Sequence, residues 1–157
     1  MDYIKQLSEN HMLWASLIAW GISQVCKIIT NFVIDKKFDI KRLFGDGGMP
    51  SGHSATVTCL AIMCGFVAGF NSVSFAIAMV LAVVVMHDAT GVRREAGKHA
   101  VSIKELADAV NKSFLGESES IRTENLKVLV GHTPLQVVLG STIGVIVAIS
   151  YMLIFLA

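Results

Sequence analysis

His53 and His132 are the side chains of this chain best suited to chemistry on phosphate. Each stands just ahead of a long apolar run, His53 within GGMPSGHSATV at 47–57 and His132 within GHTPLQVVLG at 131–140. Pro50 suits the first turn of a helix, and Ser51 and Gly52 leave backbone N–H groups free, so a helix opening there presents its positive dipole end beside His53. The arrangement repeats at His132, where Thr133 has N-cap chemistry and Pro134 fits the first helical position. Helix N-termini attract phosphate, and histidine exchanges protons near neutral pH or attacks phosphorus directly. A lone histidine at a span end is ordinarily an interfacial residue without chemistry. Two of them at two helix mouths, with Arg93 and Arg94 nearby, form a constellation.

The elements that position these residues follow from composition. Of 157 residues, 54% are hydrophobic and 16% charged, which is too apolar for an ordinary soluble domain of this length. An integral membrane protein is expected, as one domain covering residues 1–157. A net charge of +1 gives no sign of a nucleic-acid partner. Cys26, Cys59 and Cys64 lie inside apolar runs without metal spacing and read as small core residues. The first apolar segment has no cleavage-site pattern after it and is expected to be a retained span.

Crossing a bilayer core takes about 20 helical residues. Four runs qualify, 12–33, 54–70, 73–87 and 135–157. Only Asn71 and Ser72 separate the second from the third, which predicts a tight helical hairpin. The fold expected is therefore all-α, an integral membrane helical bundle of about four transmembrane helices plus an amphipathic interfacial helix. That last element is read from Ile103, Leu106, Ala107, Val110 and Phe114, which recur at helical spacing among Lys104, Glu105, Asp108 and Lys112. It either guides lipid headgroups or packs against the bundle. GESES at 116–120 marks a turn before a second short helix at 122–130.

Four spans put the segments 34–53 and 88–134 on one face. Together they hold eleven of the thirteen Lys and Arg residues, so the positive-inside rule assigns that face to the cytoplasm and both termini to the outside. The localisation expected is a multi-pass protein of the cell membrane with a cytoplasmic active face. Lys27 is the one cation inside a span, where it either faces a polar cavity or snorkels to the interface. Lys41 and Arg42 are candidates for phosphate contact, or else only topology determinants.

PSGHSA at 50–55 resembles the second signature of the phosphatidic acid phosphatase type 2 and vanadium haloperoxidase superfamily, whose motifs run KxxxxxxRP, PSGH and SRxxxxxHxxxD. Together with DATGVRREAGKHA at 88–100 and GHTPLQVVLG, it resembles the small, divergent bacterial and plastid branch of that superfamily. The resemblance covers most of the chain between Gly47 and Gly144. It implies that His132 is the nucleophile, with Arg93 or Arg94 as the third motif's phosphate-binding arginine, displaced upstream. His99, five residues after Arg93 by intervening count, is the alternative nucleophile, although its surroundings read as a surface helix. Two departures stand out. Gln136 occupies the place of the acid that fixes the histidine tautomer, leaving Asp88 or Glu95 to supply the missing charge. No Arg-Pro pair occurs anywhere, and Lys27 is the best substitute for the first motif.

These assignments imply a lipid phosphate phosphatase without metal or other cofactor. The phosphate would lie among Arg93, Arg94, Lys27, Arg42 and the N–H groups at Ser51 and Gly52. His132 would attack phosphorus while His53 protonates the departing oxygen. Phosphatidic acid, phosphatidylglycerophosphate and isoprenoid phosphates or diphosphates all fit such a site. The competing expectation is a lipid-phosphate binding or transport protein of the same fold that has lost turnover. A metal transporter using the five histidines lacks ligand spacing and carboxylate partners. GFVAG at 65–69 and GSTIG at 140–144 permit close helix contact in lipid. Since four spans make a thin bundle, a homodimer is also expected.

Overall fold

The computed structural model describes residues 2–35, 48–114 and 131–156. These form α1 (Asp2–Ser8), α2 (His11–Asp35), α3 (Gly52–Ala68), α4 (Val73–Thr90), α5 (Val92–Phe114) and α6 (Pro134–Phe155), with no strand among the described residues. The protein is an all-α membrane bundle. Three helical runs are long and apolar enough to cross a membrane, while α3, at 17 residues, is a shorter apolar helix.

Local chemistry sets the helix ends. Ser51 caps α3 by accepting a hydrogen bond from the Ser54 N–H at 3.3 Å, which leaves Pro50 outside the helix instead of in its first turn. At the far end Gly69 takes φ of 94°, a left-handed conformation open to glycine. Ser72 then caps α4 by accepting from the Phe75 N–H at 3.1 Å. The hairpin expected from Asn71 and Ser72 is present, and the Phe70 ring folds beneath Gly65, between Phe66 and Phe75.

The bundle is built inside out relative to a soluble protein. Its interior holds small residues, among them Ala15, Ala19, Ala55, Cys59, Ala78, Ala82 and Ala148, while Ile, Val, Leu and Phe populate the exterior. Small residues let helix backbones approach in lipid, where burying bulk offers no hydrophobic gain. α3 sits at the centre against α2, α4 and α6. A Cβ at Gly140 would run into the Ser51 carbonyl, and one at Gly144 would stand 2.5 Å from the Ala55 carbonyl oxygen. Cys59 and Met63 continue the contact with Val147 and Ala148. α3 and α6 therefore run parallel, with their N-termini side by side. Both glycine patterns serve contacts within the chain, 140–144 against α3 and 65–69 in the hairpin turn.

The amphipathic helix is longer than its sequence pattern outlines. α5 begins at Val92, directly after α4, and the Gly91 N–H closes α4 by donating to the His87 carbonyl at 2.8 Å. Arg93 and Arg94 consequently lie on the first turn of α5 and not in a loop. Ile103 and Leu106 are more than half exposed, while Ala107 on the same apolar face is buried. The helix expected at 122–130 lies outside the described residues, as do Lys41 and Arg42.

Candidate phosphate site at the mouths of α3 and α6

His132 is 4% exposed and precedes α6, whose first turn is a complete capping box. The Thr133 N–H donates to Gln136 Oε1 at 3.1 Å, which fixes that atom as an acceptor. His132 Nδ1 lies 3.1 Å from the same oxygen and must therefore carry the proton in that bond. The lone pair of the neutral ring is left on Nε2. One glutamine thus caps the helix and sets the histidine's tautomer.

The backbone around His132 is strapped to neighbouring helices. Its N–H donates to the Ala89 carbonyl at 3.0 Å. Gly131 rests on the backbone of Arg93 and Arg94 so closely that no Cβ fits between them. This is how an arginine pair distant in sequence reaches the histidine. On the other flank the Ser51 N–H donates to the Gln136 carbonyl at 3.0 Å, locking the opening of α3 to that of α6.

His53, on the first turn of α3, is exposed. Its ring centroid stands 6.3 Å from that of His132, at an interplanar angle of 58°. Lys27 is buried, at 3% exposure, with its Cγ 3.2 Å from where a Cβ on Gly48 would stand. Gly48 has φ of 105°, so a side chain there is excluded by backbone conformation and by the lysine stem. Burial holds His132 below the ordinary histidine value, opposed by its bond to Gln136 and reinforced by the charges of His53, Lys27 and Arg93. Lys27, His53 and Arg93 thus lie near enough to His132 for their charges to act on its ring.

Several expected site residues take other parts. Ser51 does not offer a free N–H, because that group is bonded to Gln136, and its hydroxyl accepts from the Ser54 N–H and the Ser54 hydroxyl. Among the described residues, the N–H groups of Gly52 and His53 have no backbone partner, as is usual for the first turn of a helix. Asp88 is paired with Arg93, its Oδ2 2.7 Å from Nε, and orients the guanidinium instead of contacting the histidine. Glu95 is exposed and paired with Lys98 at 2.6 Å, so it does not replace the missing acid either. Arg94 contributes its backbone to the Gly131 contact, and its side chain is exposed. His99 is exposed on α5 and makes no hydrogen bond or ring contact with His53 or His132. Arg42 lies outside the described residues.

Ser23 and Gln24 are buried beside Gly52, on the α2 face that carries Lys27. Sequence reasoning passed over both. The signal was there, since Ser23, Gln24 and Lys27 fall at i, i+1 and i+4 of a span and so share one polar stripe.

The family model described as the divergent PAP2 family matches residues 8–147, which include Lys27, His53, Arg93, His132 and Gln136. A relative 37% identical over 150 residues, covering 92% of this chain and 95% of its own, is the uncharacterized membrane protein YuiD of Bacillus subtilis (strain 168). No solved structure matches the chain significantly. Matched over nearly its whole bundle and both histidine-bearing helix mouths, the chain belongs to the divergent PAP2 family.

Proposed function

We propose that the protein is a membrane-embedded phosphatase that hydrolyses a lipid phosphate at the cytoplasmic face through a phosphohistidine. The observation that carries this reading is the pairing of a buried His132, with its Nε2 lone pair free, and His53 6.3 Å away across two adjoining helix N-termini. One phosphoryl group can bridge that separation, since reacting atoms meet at about 3–3.5 Å.

In the first step Nε2 of His132 forms a bond to phosphorus and the ester P–O bond breaks. The departing oxygen takes its proton from the His53 imidazolium and leaves as the alcohol. Positive charge on the phosphorylated ring is shared through Nδ1–H with the Gln136 oxygen. In the second step a water gives a proton to neutral His53 and attacks phosphorus. The P–N bond breaks, its electron pair returns to Nε2, and inorganic phosphate is released. Lys27, Arg93 and the Gly52 and His53 N–H groups neutralise the phosphoryl oxygens throughout. Asp88 holds Arg93 in place by its 2.7 Å ion pair.

The cytoplasmic assignment is supported by charge, because the segments flanking this end of the bundle hold eleven of the thirteen basic residues. The lipid class is supported by the exterior: apolar side chains surround the bundle up to the site, so the tails of a substrate stay in the bilayer while its headgroup enters.

Purified protein should release inorganic phosphate from phosphatidic acid with a chelator present. His132→Ala should abolish that release, and His53→Ala should lower it by about 10²–10⁴-fold. Tight binding of the lipid without release in the unaltered protein would instead favour the binding or transport reading, in which Gln136 keeps the cradle but stabilises too little charge for turnover.

A further inference from the structure

His53 is exposed and His132 buried, and the side chains that follow His53 along α3 show where it opens. Val57, Leu60 and Cys64 stand at i+4, i+7 and i+11 from it and share its face of the helix. Val57 and Leu60 are half-buried, packed on one side against the cluster of Ala61, Cys64, Ala78 and Ala82. The stripe ends at Cys64, which is 6% exposed and whose Sγ lies 3.5 Å from Met12 Sδ of α2. The surrounding helices leave this face open: among the described residues α2 adjoins α6 and α6 adjoins α4, whereas α2 and α4 scarcely meet.

Trp20 marks the α2 edge of the gap. Ile18 and Ile22 line a groove that α2 shares with α6, and Trp20, two residues from each, lies on the other side of the helix. It is 42% exposed, with its Cδ1 3.6 Å from where a Cβ on Gly52 would stand. Cys64 is eleven residues beyond His53. At about 1.5 Å per residue the open stripe is about 16 Å long, which matches the hydrocarbon depth of one leaflet, half of about 30 Å.

The chemistry fixes which part of a substrate lies there. In an in-line displacement the leaving oxygen stands opposite the nucleophile, and on the proposed mechanism it takes its proton from His53. In a lipid phosphate that oxygen carries the hydrocarbon body of the molecule. The body therefore extends away from the buried His132, past His53, onto the open stripe of α3.

We propose that the gap between α2 and α4 is the lipid portal of the site. The headgroup enters sideways from the bilayer, and a hydrocarbon chain of one leaflet's depth lies along Val57 and Leu60 as far as the contact of Met12 with Cys64. This rests on the lipid-phosphate reading and adds to it where the chain is held and how long a chain is held.

The test uses the full-length protein in phosphatidylcholine vesicles. A phosphatidic acid bearing a photoactivatable diazirine at mid-chain should form adducts on Val57, Leu60 or Trp20, competed by unlabelled phosphatidic acid and not by further phosphatidylcholine. Leu60→Trp fills the gap and should lower both this labelling and kcat/KM for phosphatidic acid by about tenfold, the discrimination a hydrophobic site shows for about one methylene. Ile146→Trp fills the groove between α2 and α6 instead and should change neither.

Adducts spread over the outer sides of all the helices, or confined to the groove between α2 and α6, would overturn the proposal. So would a Leu60→Trp protein labelled and active like the parent, or equal losses in both variants. If Leu60→Trp fails to fold, labelling of the parent decides the matter by itself. Should the parent give headgroup-specific adducts on the stripe and release no phosphate, the phosphatase reading fails while the portal stands.

Discussion

At the scale of single residues, the site turns on how little separates a helix cap from a catalytic device. Gln136 Oε1 serves the Thr133 N–H and His132 Nδ1 together, so the tautomer that frees Nε2 comes with the start of the helix. Burial and three neighbouring cations hold the His132 ring below the usual histidine range. The sign of the pH dependence follows. Attack needs the neutral ring, so the acid limb of kcat/KM follows this lowered value, activity rising as pH climbs through it. The acid limb should lie below the ordinary histidine pKa of about 6.5. Lys27→Met removes one of the cations and should move that limb to higher pH. An acid limb at or above the ordinary value in the unaltered protein would count against His132 as nucleophile. The histidines, the lysine and the arginines were all legible in the sequence, because charged and titratable groups beside apolar runs stand out. The pairing of Asp88 with Arg93 was not, since which of two nearby carboxylates meets a guanidinium depends on the bend between α4 and α5.

At the scale of elements, glycine decides where helices touch. Gly140 and Gly144 bring α6 onto the backbone of α3, and that contact carries the bond from the Ser51 N–H to the Gln136 carbonyl. Gly140→Ala should force the helices apart, lower thermal stability by about 1–3 kcal/mol as overpacked sites do, and reduce activity with it. Gly21→Ala is the matched control: a Cβ there meets nothing within 4 Å, so the change should be neutral or stabilise α2 by up to about 1 kcal/mol. Thermal unfolding of both variants in detergent separates contact from helix propensity, and equal effects would remove the contact's special standing. The spans were legible because a bilayer dictates apolar length. The Gly131 contact with Arg93 and Arg94 was not, because nothing local tells a glycine which distant backbone it will face. Likewise the GxxxG spacing marked α6 as able to pack closely without saying on what.

At the scale of the whole molecule, the helices sort their ends. The α3 and α6 N-termini and the α4 C-terminus meet at the site, while His11 and Tyr151, 3.2 Å apart, mark the opposite end of α2 and α6. In a cysteine-free background, Asn71→Cys at the hairpin turn should react with an impermeant maleimide added to intact cells. His99→Cys should react only after the membrane is opened. The reverse pattern would place the site outside and change the lipid pool it draws on. The side-by-side, same-direction arrangement of α3 and α6 carries a last implication. Two like-signed dipole ends in a low-dielectric setting repel each other. A multivalent anion lodged between them relieves the strain whether or not it is ever cleaved. On the proposed reading, folding and anion capture would be thermodynamically linked, and inorganic phosphate should raise the bundle's thermal stability in detergent.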